Sequence, residues 1–141
     1  MTSPILQLPK ALQNRLADQL GLGFKSFVSA MTTKAPVSIR LNPNKLSDSI
    51  HNGEAIPWSS QGRYLESRPG FTHDPLFHAG AYYVQEASSM FLEHILKAAI
   101  DLDKNQRVLD LSAAPGGKST LLQSMLTKDS LLVANEIISS R

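Results

Sequence analysis

The residues of this sequence that could carry chemistry are concentrated in one glycine-rich segment. It runs, in order, Ser112, Ala113, Ala114, Pro115, Gly116, Gly117 and Lys118. Small side chains let the backbone approach a ligand closely, and the N-terminus of a following helix offers unpaired N–H groups. The segment therefore predicts a binding loop for an anionic or polar ligand. The structural alternative is a tight strand-to-helix turn that binds nothing.

Two classes of ligand fit this loop unequally. Gly117, Lys118 and Ser119 match the end of the phosphate-binding pattern G-x-x-x-x-G-K-[ST], but Ser112 stands where that pattern has its first glycine. Glu136 follows the glycines by about 20 residues, where nucleotide-binding folds place a carboxylate for the ribose hydroxyls. A nucleoside cofactor needs that carboxylate, whereas a P-loop nucleoside triphosphatase does not. The residues favour the cofactor and leave the triphosphatase as an alternative.

Hydrophobic patterns place the loop between a strand and a helix. A strand is predicted over 108–111, a helix is marked by the leucines and the methionine between 121 and 126, and a second strand is predicted over 131–136. Such a strand–helix–strand unit builds a parallel sheet, whose ligands bind at the carboxyl ends of the strands. A short strand at 81–84 and a helix from about Gln85 precede it. The apolar face of that helix is predicted to contain Ala87, Met90, Phe91, Ile95 and Ala98.

The first 80 residues predict a small α+β domain, and residues 81–141 a separate α/β domain. Leucines at every fourth position predict a helix over 9–20, and apolar spacing predicts a second over 24–31; both helices are expected to contribute to a core. Polar and apolar residues alternate over 37–41, so Arg40 is expected to face solvent or a ligand. Further extended segments are predicted at 56–58 and 62–66.

The composition excludes several classes of site. The 141 residues contain no cysteine, which rules out disulfides, zinc ribbons and a thiolate nucleophile within them. The histidines lack the spacing of a metal site, so no metal is expected; they are His51, His73, His78 and His94.

No apolar run approaches the ~20 residues of a membrane span, and the start lacks a signal-peptide pattern, so a cytoplasmic location is expected. A formal charge of +2 permits a polyanionic partner without identifying one.

Several blocks of the sequence, in order, resemble the Nol/Nop/Sun family of RNA cytosine-C5 methyltransferases. Residues 110–119 resemble the first cofactor motif of that family, and residues 134–136 with Arg141 resemble the second. Residues 38–42, 56–58 and 82–90 resemble stretches of the bacterial branch that methylates small-subunit ribosomal RNA. The resemblance implies a Rossmann-like methyltransferase domain, of which this chain holds only the first strand–helix–strand unit.

The resemblance also implies a cofactor and roles for individual residues. The loop from Ser112 to Lys118 would wrap the methionine end of S-adenosylmethionine, and Lys118 would meet its carboxylate. Glu136 would accept hydrogen bonds from both ribose hydroxyls. Arg141 would lie near the cofactor or pair with a carboxylate. The sequence departs from the common pattern at Ser112, where many relatives carry cysteine, and at Glu136, where many carry aspartate.

The expected substrate is small-subunit ribosomal RNA, and Arg40 is the residue predicted to contact it. Enzymes of this type add a cysteine thiolate to cytosine C6, which activates C5, and a second cysteine assists release. Because this chain has neither cysteine, it is predicted to be an inactive N-terminal fragment whose reading frame continues past Arg141 into a Pro-Cys and a Thr-Cys block. The alternative is a natural short protein that serves as a stand-alone RNA-binding or assembly module.

Overall fold

A computed structural model describes residues 8–45 and 53–138 of the chain. The residues up to Ala35 form one compact unit, and those from Pro36 onward form a second. The second unit contains both helices and strands and ends in a strand–helix–strand unit, which confirms the predicted α/β class. Within the described ranges, every helix is too short or too polar to cross a membrane.

The first unit consists of two helices joined by a short 3-10 turn. Helix α1 spans Lys10–Leu20, the turn spans Gly21–Gly23, and α2 spans Phe24–Met31. Gly21 ends α1 with a φ of +51°, a conformation that costs glycine little because it has no Cβ. Both helices agree with the predictions from leucine spacing. The expectation that they contribute to a core is wrong, because no residue of either described helix is fully buried.

The second unit begins with a four-stranded antiparallel sheet. Its strands are β1 (Val37–Leu41), β2 (Glu54–Ala55), β3 (Gly62–Leu65) and β4 (Tyr82–Val84), in the spatial order β2-β3-β1-β4. The strands predicted at 37–41, 62–66 and 81–84 are confirmed. The extended segment predicted at 56–58 is wrong, since residues 57 and 58 lie in a turn after β2. Strand β4 lies beyond residue 80 and pairs with β1, so this sheet spans the predicted domain division.

The core of this sheet forms where β3 meets the segment after β4. Ile56, Ala87 and Met90 are buried together, and Trp58 and Tyr64 pack against them. A Cβ added at Gly62 would lie 2.9 Å from both Ile56 Cδ1 and Met90 Sδ, so this close approach requires glycine. A 3-10 turn at Phe71–His73 and the short helix α3 (Pro75–His78) connect β3 to β4.

Helix α4 differs from its predicted orientation. The predicted helix from Gln85 is a 3-10 turn at Ala87–Met90 that leads into α4 at Phe91–Ala99. Ala87 and Met90 are buried as expected, but Phe91 and Ile95 remain 45% and 50% exposed. The helix instead buries Glu93, which accepts hydrogen bonds from Ser59, Ser60 and Lys97. These polar contacts determine which side of α4 faces inward, and apolar periodicity carries no information about them.

The chain then forms the predicted strand–helix–strand unit. Strand β5 (Arg107–Asp110) runs parallel to β6 (Leu131–Ala134), and α5 (Gly117–Met125) connects them. Leu121 and Leu122 of α5 are buried. The glycine-rich segment therefore lies between the carboxyl end of β5 and the N-terminus of α5.

Candidate functional site

The loop 112–118 is fastened at both ends by one buried carboxylate. Asp110, the last residue of β5, accepts a hydrogen bond from the Ser112 N–H at 3.1 Å and another from Ser119 Oγ at 2.6 Å. One side chain thus joins the end of the strand to the first turn of α5. The sequence analysis did not single out Asp110. Its position as the acidic residue directly before a glycine-rich loop was the available signal.

The loop and Glu136 are brought together, as the sequence predicted for a nucleoside site. The Ala114 N–H donates to Glu136 Oε2 at 3.2 Å, and the neighbouring Ala113 N–H donates to the Asn135 carbonyl at 2.9 Å. Glu136 Oε1 accepts from the Ile138 N–H at 2.9 Å. The half-buried carboxylate therefore lies beside the loop at the carboxyl ends of β5 and β6.

The donors that the loop can offer to a ligand lie at the start of α5. The N–H groups of Ser112, Ala113, Ala114 and Gly116 are engaged within the protein. Gly116 precedes the helix with a φ of +101°, in the left-handed region that favours glycine. The first N–H groups of a helix have no partner within it, so Gly117 and Lys118 present theirs at this end. The Lys118 side chain is exposed and can reach an anion there.

Side chains of the antiparallel sheet contact the other side of the loop. Tyr83 Oη donates to the Pro115 carbonyl at 3.2 Å, and Gln85 Nε2 donates to the Gly117 carbonyl at 3.3 Å. Thr120 Oγ1 donates to the Gly116 carbonyl at 2.7 Å. The Tyr83 and Gln85 contacts could not be predicted from the sequence, because their partners are 32 residues apart in the chain and no local pattern connects them.

Arg40 was expected to face solvent or a ligand, and its burial shows that the first of these alternatives is wrong. Only 4% of the residue is exposed, and Nη2 donates to Thr120 Oγ1 at 2.6 Å. Among the described residues, Nε has no hydrogen-bond partner. Desolvation lowers the pKa of Arg40 to about 10, against the opposing influence of Tyr83 and Glu93. The guanidinium is therefore a buried cation at neutral pH.

A cleft of about 410 Å³ lies beside Arg40 rather than at the loop. Its lining includes Lys45, Tyr83, Thr120 and Gln123 as well as Arg40. Lys45 Nζ donates to the Ala79 carbonyl at 2.7 Å and adds a second cation to this wall. The cleft thus combines cationic, hydroxyl and amide groups, which suit a polar or anionic ligand.

The histidines that the structure describes make ordinary contacts away from the loop. Within residues 8–45 and 53–138, no three histidine, aspartate or glutamate side chains are grouped as metal ligands would be. His78 Nε2 lies 2.9 Å from the Thr72 carbonyl, and His94 packs against Phe91. His51 and Arg141 lie outside the described residues.

Comparison with known proteins identifies the family. Residues 8–87 match the family model for the N-terminal domain of 16S rRNA methyltransferase RsmF, and residues 97–141 match that for 16S rRNA methyltransferase RsmB/F. A crystal structure of a methyltransferase homologue from Pyrococcus horikoshii has a TM-score of 0.64 and 26% identity, covering 94% of this chain and 50% of that one.

Curated relatives give the same result. Ribosomal RNA small subunit methyltransferase F of Aeromonas salmonicida is 35% identical over 85% of this chain and 28% of its own length. The protein of the same name from Shewanella woodyi is 32% identical over 97% of this chain and 31% of its own length. The chain therefore spans less than a third of these relatives. With both family models matched in order along it, the chain belongs to the RsmF family of 16S rRNA methyltransferases.

Proposed function

We propose that this chain supplies the first half of the S-adenosylmethionine site of a small-subunit rRNA cytosine-C5 methyltransferase. One observation carries the proposal: the glycine-rich loop and Glu136 are joined at the carboxyl ends of two parallel strands, with 3.2 Å between Ala114 N and Glu136 Oε2. Ligands of open α/β sheets bind at that edge. The family, whose members are methyltransferases, supports a methyl donor as the ligand.

The residues present fit such a cofactor. The N–H groups of Gly117 and Lys118 and the Lys118 ammonium can hold the carboxylate of its methionine end. The Glu136 carboxylate, which accepts from the Ala114 and Ile138 N–H groups beside the loop, is the acceptor type that ribose hydroxyls require. The cofactor, when bound, supplies a methyl group on a sulfonium centre. We place Arg141 near the cofactor or in a pair with a carboxylate, as its family motif implies.

The methyl transfer itself needs groups that these residues do not contain. A nucleophilic thiolate is required to activate cytosine C5, and the chain has no cysteine. We therefore propose that the 141-residue chain is inactive by itself and that the full-length protein supplies the cysteines. A division into an RNA-binding domain at 1–80 and a methyltransferase domain from 81 is part of this proposal, although β4 pairs with β1 across it.

Ribosomal RNA is the proposed substrate, and the cleft beside Arg40 is the proposed contact. Arg40 and Lys45 give that cleft two cations for a polyanion. Burial limits Arg40 to contact through the cleft and excludes a broad surface interaction. A ribosomal RNA substrate would put the protein in the cytoplasm. The same cleft favours, as a second candidate, a stand-alone RNA-binding module without catalysis.

The test is a set of binding titrations on the full-length protein that contains this chain. We expect it to bind S-adenosylhomocysteine, and Glu136→Ala to weaken that binding about 10- to 100-fold, because charged hydrogen bonds contribute about 1.5–3 kcal/mol each. Glu54→Ala, which removes an exposed carboxylate of β2, is the control and should bind as the wild type does. Binding of ATP alone would favour the triphosphatase, and binding of RNA alone the RNA-binding module.

A further inference from the structure

We propose that the antiparallel sheet sets the shape of the cofactor loop, through the positioning residues Arg40, Tyr83 and Gln85. This inference rests on the proposed function, in which the loop holds the methionine end of the cofactor. It adds that residues outside the strand–helix–strand unit determine where the ligand-facing N–H groups of the loop point.

Three consecutive loop carbonyls accept side-chain hydrogen bonds, two of them from the sheet side and the middle one from α5 itself. The Pro115 carbonyl accepts from Tyr83 Oη at 3.2 Å, and the Gly117 carbonyl accepts from Gln85 Nε2 at 3.3 Å. The Gly116 carbonyl between them accepts from Thr120 Oγ1 at 2.7 Å. The Thr120 hydroxyl in turn accepts from Arg40 Nη2 at 2.6 Å, so Arg40 acts on the loop through Thr120.

Holding these carbonyls orients the amides on their far side. In a planar trans peptide the C=O and the following N–H point in opposite directions. Fixing the Gly117 carbonyl toward Gln85 therefore turns the Lys118 N–H away from the sheet. The Gly116 carbonyl is held within α5, where it also accepts from the Thr120 N–H at 2.9 Å. Glycine rotates about its backbone more freely than other residues, so a loop with two adjacent glycines needs such external restraint.

The burial of the sheet residues argues against mere packing. Arg40 and Gln85 are 4% and 7% exposed, and both belong to an otherwise well-packed part of the sheet. Within the described residues, Arg40 Nε and Gln85 Oε1 lack hydrogen-bond partners, which is costly for buried polar atoms. Apolar side chains would fill the same space without that cost. The groups that do form bonds all act on the loop or on Thr120.

The sheet also contacts the loop sterically. A Cβ built on Gly117 would lie 3.4 Å from Tyr83 Cε1 and 3.5 Å from Gln85 Nε2. These are ordinary van der Waals distances, so the two side chains lie directly against the loop backbone. Loss of their polar groups should therefore loosen the loop without opening a large cavity.

The test compares two neighbouring tyrosines in the full-length protein. Tyr83→Phe removes the hydroxyl that binds the loop, whereas Tyr82→Phe removes a hydroxyl that binds Asp74 at 2.6 Å and serves as the matched control. Gln85→Met keeps the side-chain size but removes the donor. We expect Tyr83→Phe and Gln85→Met each to raise the Kd for S-adenosylhomocysteine about 3- to 10-fold, and Tyr82→Phe to leave it unchanged.

Hydrogen exchange in the ligand-free protein provides a second readout. Amides between 113 and 120 should exchange faster in Tyr83→Phe and Gln85→Met than in the wild type and in Tyr82→Phe. In turnover assays of Gln85→Met, whose side chain does not line the cleft beside Arg40, KM for S-adenosylmethionine should rise while KM for RNA stays constant. Thr120→Val, on the exposed side of α5, should reproduce the exchange effect if a sheet variant fails to fold.

The outcomes separate this inference from the proposed function. In one outcome, the wild type binds the cofactor analogue and Glu136→Ala does not, while Tyr83→Phe and Gln85→Met match the wild type in both Kd and exchange. The positioning role is then wrong, and the proposed cofactor site stands. If wild type does not bind the analogue, the proposed function is wrong. The exchange rates of Tyr83→Phe and Gln85→Met then decide whether the sheet orders the loop.

Discussion

The two sheets of the second unit are held together by different forces. In the antiparallel sheet, the three central residues of β1 are all buried, and Ile39 has no exposed surface. In the parallel pair, Leu109 of β5 and Val133 of β6 remain 57% and 47% exposed, although parallel strands are usually buried on both faces. Of those three β1 residues only Ile39 is apolar, so the first sheet combines apolar and polar burial, whereas the second is open to solvent and its loop is held by hydrogen bonds.

The largest expected loss of stability comes from removing a buried apolar side chain of the antiparallel sheet. Ile39→Ala in β1 should lower the free energy of unfolding by about 2–5 kcal/mol, because it leaves a cavity in a closed core. Val133→Ala in β6 is the matched control and should cost about 1 kcal/mol or less, since its side chain is half exposed. Urea denaturation of the 141-residue chain, followed by circular dichroism, measures both. Equal losses would show that the two sheets do not differ in this way.

The second prediction concerns pH and the buried carboxylate of α4. Burial would raise the pKa of Glu93, but hydrogen bonds from Lys97, Ser59 and Ser60 outweigh it and lower the pKa from 4.5 to about 2. Because the folded-state pKa is depressed, the resulting stability is present above about pH 4.5 and is lost as the pH falls toward 2. We expect a contribution on the order of 2–3 kcal/mol at neutral pH.

Glu93→Gln checks this contribution. Unfolding free energies measured between pH 2 and pH 7 should fall less steeply with acid in Glu93→Gln than in the wild type. Glu54→Gln changes an exposed carboxylate of β2 and should retain the wild-type profile. Superimposable profiles for wild type and Glu93→Gln would rule out Glu93 as the source of acid sensitivity.

The smallest expected effect tests the polar side of the comparison. Asp110→Ala removes the carboxylate that joins β5, the loop and α5, and should cost about 1–3 kcal/mol. Asp129→Ala, an exposed position before β6, should stay within about 0.5 kcal/mol of wild type. Hydrogen exchange of amides 112–119 would localise the change. If their exchange is unaffected, the loop does not depend on Asp110.

Local patterns predicted the elements well where one face of an element decides its packing. The leucine repeat predicted α1, and the alternation over 37–41 predicted β1. The same alternation misplaced Arg40, because it assumes one solvent-facing side, and α5 brings Thr120 against that side from 80 residues away. The inward side of α4 was missed for a related reason. Ser59 and Ser60 satisfy Glu93 from a distant turn, so the most buried residue of the helix is a charged one.

The sequence by itself determined where the glycine-rich loop lies, between a strand and a helix. Local backbone requirements explain why small residues, two glycines and a lysine stand between a strand and a helix. Spacing along the chain then puts Glu136 after the next strand. Only the tertiary structure decided what holds that loop in place. Tyr83 and Gln85 reach it from a strand 32 residues earlier, and such long-range contacts depend on how the sheets pack, which residue periodicity does not encode.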